Sequence, residues 1–242
     1  MSSADTSVGQ SDIGRQQGGE SQHRETYFGG DKSWRELLEV SSNRSRKIRG
    51  SNYVQLATVE NNEPRCRCVV FRGFQALPSD HPLSSELEGK SCILKMITDA
   101  RSEKVKQAVD FTQNNAEMVW WFPKSSEQYR VRGGLLFVGG GTFPMDGDKA
   151  LVDARKQMWG NLSDSARESF FVEPTPGRGF EEPNVIPVGG RDVEGKVLDP
   201  PDHFLLMLLI PRHIDYLRLQ NMYRQVDVLA TDGSWSIQRV NP

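Results

Sequence analysis

Short apolar stretches separated by polar turns follow one another along most of the chain from residue 53 onward. Stretches of this length, bounded by turn residues, predict strands. An Asn-Asn pair at residues 61–62 predicts the turn of a first hairpin. The strands are predicted at residues 53–59, 67–74, 92–98, 118–122, 129–138, 204–210, 216–219 and 235–239, the last after a turn at 231–234. Many short strands with few helices between them indicate an antiparallel barrel and not a doubly wound sheet.

Three stretches have the apolar spacing of helices. The first begins after Ser33, a candidate N-cap, with Glu36 at the capping-box position. The second covers residues 102–111, with Asp99 as its candidate cap, and the third covers residues 147–159. These helices are few and short, so we expect them at the periphery of the barrel.

Two segments differ in composition from the rest. Residues 1–30 are rich in Ser, Gly, Gln and charged residues and contain almost nothing apolar before Tyr27, which predicts a disordered tail. We expect one folded domain over residues 31–242. Within it, residues 174–201 are dense in Pro and Gly, which predicts a long loop or lid.

Charge and cysteine content limit the partners. The 242-residue chain has a net charge of −2, so bulk attraction to nucleic acid or to an anionic membrane is not implied. No apolar run has the roughly 18 to 20 residues that a membrane helix needs. Cys66, Cys68 and Cys92 lack metal-site spacing and are expected to be reduced thiols in a cytoplasmic compartment.

Cations and hydroxyls concentrate in three segments, residues 64–72, 98–104 and 127–133, each beside an apolar run. Arginine, lysine and hydroxyl side chains together are typical of a phosphate site. Each segment also has a simpler interpretation: Arg67 and Arg72 as strand-end residues in surface ion pairs, and residues 98–104 as an ordinary helix cap. The pattern predicts a phosphorylated cofactor, without a glycine-rich nucleotide motif.

The remaining polar residues offer no catalytic set. Gln128 begins a strand, where its amide is able to bond to the edge of a heterocycle. The aromatic residues 120–122 suit either a ring pocket or the core. No Ser/His/Asp set, paired carboxylates or metal cluster is evident, so we expect no catalytic side chain and no metal. Any chemistry would come from the cofactor.

In order and spacing, these segments resemble the pyridoxamine 5′-phosphate oxidase family of FMN-binding split β-barrels, in its divergent branch. The family strand Arg-x-Val-Leu-Leu-Lys corresponds to Arg67-Cys-Val-Val-Phe-Arg72, and the family cradle to Ile97-Thr-Asp-Ala-Arg-Ser-Glu-Lys104. Glu127-Gln-Tyr-Arg-Val-Arg-Gly133 and the closing Trp235-Ser-Ile-Gln-Arg-Val-Asn-Pro242 also match. The resemblance covers the chain from Trp34 to Pro242.

The resemblance implies a mainly β (α+β) homodimer with FMN in the groove between subunits. It assigns the FMN phosphate to Arg67, Ser102 and Lys104, with Thr98 nearby. It assigns the flavin ring to the Gln128 amide and to main chain of three residues. Those three residues are Cys68, Val69 and Val70.

Departures from the family pattern fall mostly on the substrate side. Glu103 stands where the cradle has arginine, and Arg101 is a candidate substitute. Leu217 corresponds to the family tryptophan over the flavin, and the Arg-x-His pair for the pyridoxyl substrate falls at residues 221–223, where neither residue type is present. FMN binding is therefore the firmer implication.

The resemblance implies an FMN-dependent oxidoreductase that moves a hydride from substrate to flavin and electrons on to oxygen. The default substrate is a vitamin B6 phosphate, pyridoxine or pyridoxamine 5′-phosphate. Arg72 and Arg155 are the candidates for its anionic group. Two alternatives stay open: a flavin carrier, sensor or interaction protein without this activity, and a barrel without cofactor.

Overall fold

The computed structural model of the protein describes residues 32–108, 116–140, 148–173, 177, 179–182 and 184–242. The tail predicted at residues 1–30 lies outside these ranges. The strands are β1 (Tyr53–Glu60), β2 (Glu63–Val70), β3 (Glu86–Leu87), β4 (Lys90–Ser91), β5 (Leu94–Asp99), β6 (Ala116–Phe122), β7 (Glu127–Val138), β8 (Phe204–Arg218), β9 (Tyr223–Leu229) and β10 (Trp235–Val240). The α-helices are α1 (Trp34–Ser45), α2 (Glu103–Lys106), α3 (Lys149–Gly160) and α4 (Asp164–Glu168).

The strands form one large antiparallel sheet in the order β10-β9-β8-β7-β6-β1-β2, with β5 paired to β8. The first hairpin turns at Asn61 and Asn62, both with positive φ (50° and 65°), as the sequence predicted. The first half of β8 pairs with β5 and its second half with β9. The predicted mainly β, antiparallel fold with peripheral helices is confirmed.

The ladder of paired strands does not close, because β2 is its last member on one side. Beyond β2 the chain runs beside β5: Gln75 N donates to Ile93 O at 2.9 Å. Lys95 accepts from Arg72 N at 2.8 Å, and its own N–H donates to Gly73 O at 2.8 Å. Arg72 and Gly73 together face Lys95 in a bulge, which Gly73 accommodates with φ of 101°. This seam brings the end of β2 next to β5.

The first half of strand β8 (residues 204–210) is buried on both faces. Leu205 and Met207 belong to an apolar cluster shared with α1, β1 and β6. Leu206 and Leu208, on the opposite face, belong to a second cluster packed beneath α3. The near-continuous apolar run follows from this burial on two sides.

The sequence predicted two separate strands at 204–210 and 216–219, and this was wrong. A single strand, β8, continues through Pro211, which lies opposite Gly133 where the pairing register with β7 shifts. Proline is tolerated at such a bulge because the missing N–H is not needed in the ladder. A side chain at Gly133 would overlap the carbonyl oxygen of Ile210, so glycine is required there.

The helices largely follow their sequence signals. Ser33 caps α1 and accepts a hydrogen bond from Glu36 N at 3.3 Å. Helix α2 is only one turn in the described residues, and its N-cap is Ser102 instead of Asp99; residues 109–115 lie outside them. Helix α3 begins at Lys149. In the described ranges, no helix combines the length and the apolar composition needed to cross a bilayer.

Within the predicted 174–201 loop, the described residues contain a 3-10 turn at Val188–Gly190 and an isolated bridge between Arg191 and Val197. Trp159 Nε1 of α3 donates to Leu198 O at 2.6 Å, which ties this segment to the helix. The role of the segment as a lid stays a prediction.

Asp227 of β9 is a fully buried carboxylate beside the start of α1. It accepts hydrogen bonds from Gln225 Nε2, at 2.9 and 3.1 Å, and from Trp34 N at 3.4 Å. None of these donors is a cation. Burial therefore raises the pKa of Asp227 to about 6.

We expect Asp227→Asn to stabilise the protein at neutral pH but not in acid. A raised pKa means that the native state holds the proton on Asp227 more tightly than the unfolded chain does. Protonated Asp227 therefore makes its full contribution to the free energy of unfolding below pH about 4, and this contribution disappears as the pH rises through about 6. The resulting cost to the wild type at neutral pH is on the order of 3 kcal/mol. Urea unfolding of both proteins from pH about 4 to 8 measures the difference. A difference in unfolding free energy that stays constant with pH would contradict this assignment.

Candidate phosphate site at the β2–β5 seam

A cluster of polar side chains lies where β5 passes into α2. Lys104 Nζ donates to Thr98 Oγ1 at 3.1 Å and to Ser102 Oγ at 3.0 Å, and the two hydroxyl oxygens are 3.2 Å apart. Ser102 Oγ also donates to Asp99 O at 2.7 Å. An ammonium has three donors, so one donor of Lys104 remains for an additional acceptor.

Arg67 reaches the same region from β2. Its guanidinium donates to Thr58 Oγ1 at 2.7 Å, to Gln107 Oε1 at 2.8 Å and to Leu56 O at 3.2 Å. Thr58 Oγ1 also donates to Gln107 Oε1 at 2.7 Å. Thr58 and Gln107 therefore orient Arg67. Sequence reasoning missed this role, for which the only signal was an inward-facing polar residue on a strand.

Two cations meet in this cluster. Burial, followed by the neighbouring Arg67 guanidinium, lowers the pKa of Lys104, and burial also lowers the pKa of Arg67. Neither forms a salt bridge with a carboxylate of the described chain, whereas nearby Arg101 and Lys106 both do. Such a pair favours an anion, because a negative charge offsets both their repulsion and their desolvation.

Arg101 and Glu103 are directed to other partners. Arg101 forms a bidentate pair with Asp99, which raises the pKa of the guanidinium, and it also donates to Val172 O at 3.2 Å. Glu103 is exposed and pairs with Lys106 at 2.9 Å. The acid at the family's arginine position therefore does not oppose an anion, and Arg101 is left out of the proposed site.

The three residues with predicted main-chain contacts lie on β2, the last strand of the ladder. Cys68 is exposed, and Val69 and Val70 are half-buried. Because β2 pairs only with β1, alternate N–H and C=O groups of these residues point away from the ladder. These backbone groups are therefore placed to form hydrogen bonds with the edge of a ligand.

Gln128 lies elsewhere on the sheet. It sits between Trp121 and Leu217 in the cross-strand register. Its strand, β7, is separated from β2 by β6 and β1, about 14 Å at a strand spacing of about 4.8 Å. One chain therefore does not bring Gln128 next to the β2 main chain.

The two arginines proposed for a substrate anion differ in their surroundings. Arg72 is exposed at the bulge that follows β2. Arg155 of α3 donates to Phe204 O at 2.8 Å and to Pro201 O at 2.7 Å, and burial lowers its pKa. These bonds hold the start of β8 against α3, so only Arg72 is kept as a candidate for substrate.

The comparison with known proteins begins with a family model described as "Pyridoxamine 5′-phosphate oxidase, FMN-binding domain", which matches residues 31–139. A pyridoxamine 5′-phosphate oxidase-related, FMN binding protein from Nostoc punctiforme has a crystal structure that superposes with a TM-score of 0.69. It is 32% identical, over 87% of this chain and 98% of that chain. The chain belongs to the pyridoxamine 5′-phosphate oxidase-like, FMN-binding family.

A curated relative and a second solved structure also match this chain. A pyridoxine/pyridoxamine 5′-phosphate oxidase 2 from Arabidopsis thaliana is 29% identical over 86% of this chain and 96% of its own length. PhzG from Burkholderia lata, solved with tetrahydrophenazine-1-carboxylic acid, shares the fold (TM-score 0.58) at 12% identity, covering 86% of this chain and 90% of its own. Within this family, the chain's cofactor is FMN.

The donor set at the β2–β5 seam fits the phosphate of FMN. It combines a guanidinium, an ammonium and two hydroxyls, and the two cations have no described carboxylate as ion-pair partner. These are the groups that bind a phosphate dianion. In the ranges that the structure describes, His, Cys, Asp and Glu side chains form no cluster suited to a metal ion.

Proposed function

We propose that this FMN-binding protein is an oxidase that acts on a small phosphorylated substrate, pyridoxine or pyridoxamine 5′-phosphate. The Arabidopsis relative carries that activity in its name. The observation that carries the proposal is the convergence of Lys104, Thr98 and Ser102 with the oriented Arg67. A site that holds the phosphate end of FMN fixes the flavin ring relative to β2.

The roles of the protein's own side chains follow from their surroundings. Arg67 and Lys104 bind the cofactor phosphate, and Thr58 and Gln107 keep Arg67 in place. Bound FMN supplies a hydride acceptor that afterwards reduces oxygen. Exposed Arg72, at the bulge after β2, would bind the substrate's phosphate.

We also propose that two copies complete each site. Gln128 and the β2 main chain are too far apart in one chain to meet the same flavin ring. A second copy brings the Gln128 of one chain to the flavin held on β2 of the other. Exposed Tyr53 and Trp121 (55% and 42%), on the strands between them, provide apolar surface for that contact. Location in the cytoplasm stays a prediction.

Turnover tests the oxidase directly. Purified protein saturated with FMN is mixed with pyridoxamine 5′-phosphate in air, and aldehyde and hydrogen peroxide are followed together. The proposal predicts equal amounts of both products, because oxygen takes the two electrons that the amine carbon loses. Arg72→Ala should raise KM more than it lowers kcat. Retained FMN with neither product would refute the oxidase.

A non-catalytic flavin carrier, sensor or interaction protein is the second candidate. It is favoured by the contacts at and beside residues 221–223, the positions where the family has its Arg-x-His pair for substrate. Buried Tyr223 donates to Gln225 Oε1 at 2.7 Å, and Arg224 is held by Asp215 in a bidentate pair at 2.9 and 2.7 Å. Neither side chain is free to replace the missing Arg-x-His pair. FMN binding without turnover would support this candidate.

A further inference from the structure

A basic cleft lies on the sheet surface across β6, β7, β8 and β9, away from the Arg67–Lys104 cluster. Its volume is about 240 Å³. Its charged and titratable residues are Glu117, Arg130, Arg132, His213, Asp215 and Arg224. Three guanidiniums face two carboxylates, so the cleft has an excess of positive charge.

Both carboxylates of the cleft are already engaged. Glu117 accepts from Arg130 at 2.8 and 3.3 Å. Asp215 accepts from Arg224 at 2.9 and 2.7 Å, and Arg130 approaches it at 3.8 Å. These pairs satisfy Arg130 and Arg224 within the protein.

Arg132 is in a different position. Its closest described carboxylate is Glu117 at 4.0 Å, the limit of an ion pair, and its side chain is 48% exposed. Directly across from it on β8 is His213. The Nδ1 atom of His213 is buried and has no hydrogen-bond partner in the described part of the chain.

The fold holds these two residues at the bulge. The register of β7 and β8 shifts between Arg132 and Gly133, opposite Pro211. Burial, followed by the Arg132 guanidinium, lowers the pKa of His213, while Asp215, a contact with the residue's own backbone and Glu117 act in the opposite direction. A neutral imidazole beside a guanidinium with unused donors has the chemistry of a site that takes up an anion together with a proton.

We propose that Arg132 and His213 form a binding site for a small oxyanion, the phosphate or carboxylate group of a small molecule. The site is distinct from the FMN phosphate cluster, which lies on β2, β5 and α2. An anion between the two side chains accepts hydrogen bonds from the guanidinium of Arg132 and from the imidazole of His213. It also raises the pKa of His213, because an opposite charge favours imidazolium.

Calorimetric titration of the FMN-saturated protein tests this site, since FMN already fills the first phosphate cluster. Inorganic phosphate is the probe in one arm and acetate in the other. We expect saturable binding of at least one of them. Because phosphate itself loses a proton between pH about 6 and 8, the pH dependence is measured with acetate, which should bind more strongly at pH about 6 than at pH about 8. The arm that binds more tightly identifies the group.

Three variants decide the assignment. Arg132→Gln, which keeps a polar side chain but removes the guanidinium, should weaken binding of the anion about tenfold or more. His213→Gln should abolish the pH dependence of acetate binding. Arg65→Ala is the control, because Arg65 of β2 is an exposed arginine that pairs with Glu60 of β1 and with Glu63. This substitution should change affinity less than about twofold. Retained FMN absorbance verifies that each variant is folded. Absence of saturable binding in both arms, or equal losses in Arg132→Gln and Arg65→Ala, would overturn the site.

Discussion

Lys104→Ala should weaken FMN binding by about ten- to a hundredfold. Lys104 is half-buried, and its ammonium is fixed by Thr98 and Ser102 beside Arg67. A hydrogen bond to a charged group is worth about 1.5 to 3 kcal/mol, which corresponds to that range of affinity. Arg67→Ala should have an effect of the same size. Quenching of flavin fluorescence during titration of the apoprotein measures the dissociation constant.

The matched control is Lys106→Ala on the same helical turn. Lys106 is exposed and pairs with Glu103, so its loss should leave the affinity for FMN almost unchanged. If Lys106→Ala weakened FMN as much as Lys104→Ala did, general positive charge and not the Lys104 cluster would explain binding. Riboflavin, which lacks the phosphate, should bind the wild type and Lys104→Ala equally.

Trp120→Ala should destabilise the fold by about 3 to 5 kcal/mol, the usual loss for a buried tryptophan. The indole is 1% exposed, and its Nε1 donates to Ser51 O at 2.7 Å. Its ring centroid lies 4.7 Å from that of Phe71 and 4.9 Å from that of Phe122. The truncation would leave a cavity in the core and remove the hydrogen bond to the carbonyl of half-buried Ser51. Urea unfolding, followed by circular dichroism, gives the change in free energy.

The neighbouring Trp121 provides the comparison. It lies on the other face of β6 and is 42% exposed, so Trp121→Ala should cost the monomer less than about 1 kcal/mol. It should instead weaken self-association, since we propose this surface for the contact between copies. Equal destabilisation by the two substitutions would contradict the opposite placement of the two rings.

The sequence predicted the strands well wherever a turn signal bounded them. The Asn61-Asn62 hairpin is an example, because positive φ favours those residues. It failed at Pro211, which local rules treat as a strand end. Only the partner strand explains the continuation, because Gly133 on β7 allows the bulge. Local sequence contains no information about that pairing.

In the candidate site, too, contacts between residues close in the chain were predicted and contacts between distant residues were not. Motif order predicted the grouping of Thr98, Ser102 and Lys104, which are close in the chain as well as in space. It did not predict Gln107, whose contact with Arg67 joins residues 40 positions apart. Arg155 matched the expected residue type, but the carbonyls that bind it, such as that of Phe204, become its neighbours only through tertiary packing.

The double burial of β8 affects how the strand is aligned in the sheet. In most strands a shift by one position would expose apolar residues, so alternation itself fixes the alignment. In the first half of β8 such a shift would exchange Leu206 and Met207 between two equally apolar layers, and burial there gives little penalty. Alignment then depends on Pro211 meeting Gly133, a position where an added methyl group has no room. A bulky residue at position 133 would therefore favour misaligned, aggregation-prone chains over simple unfolding.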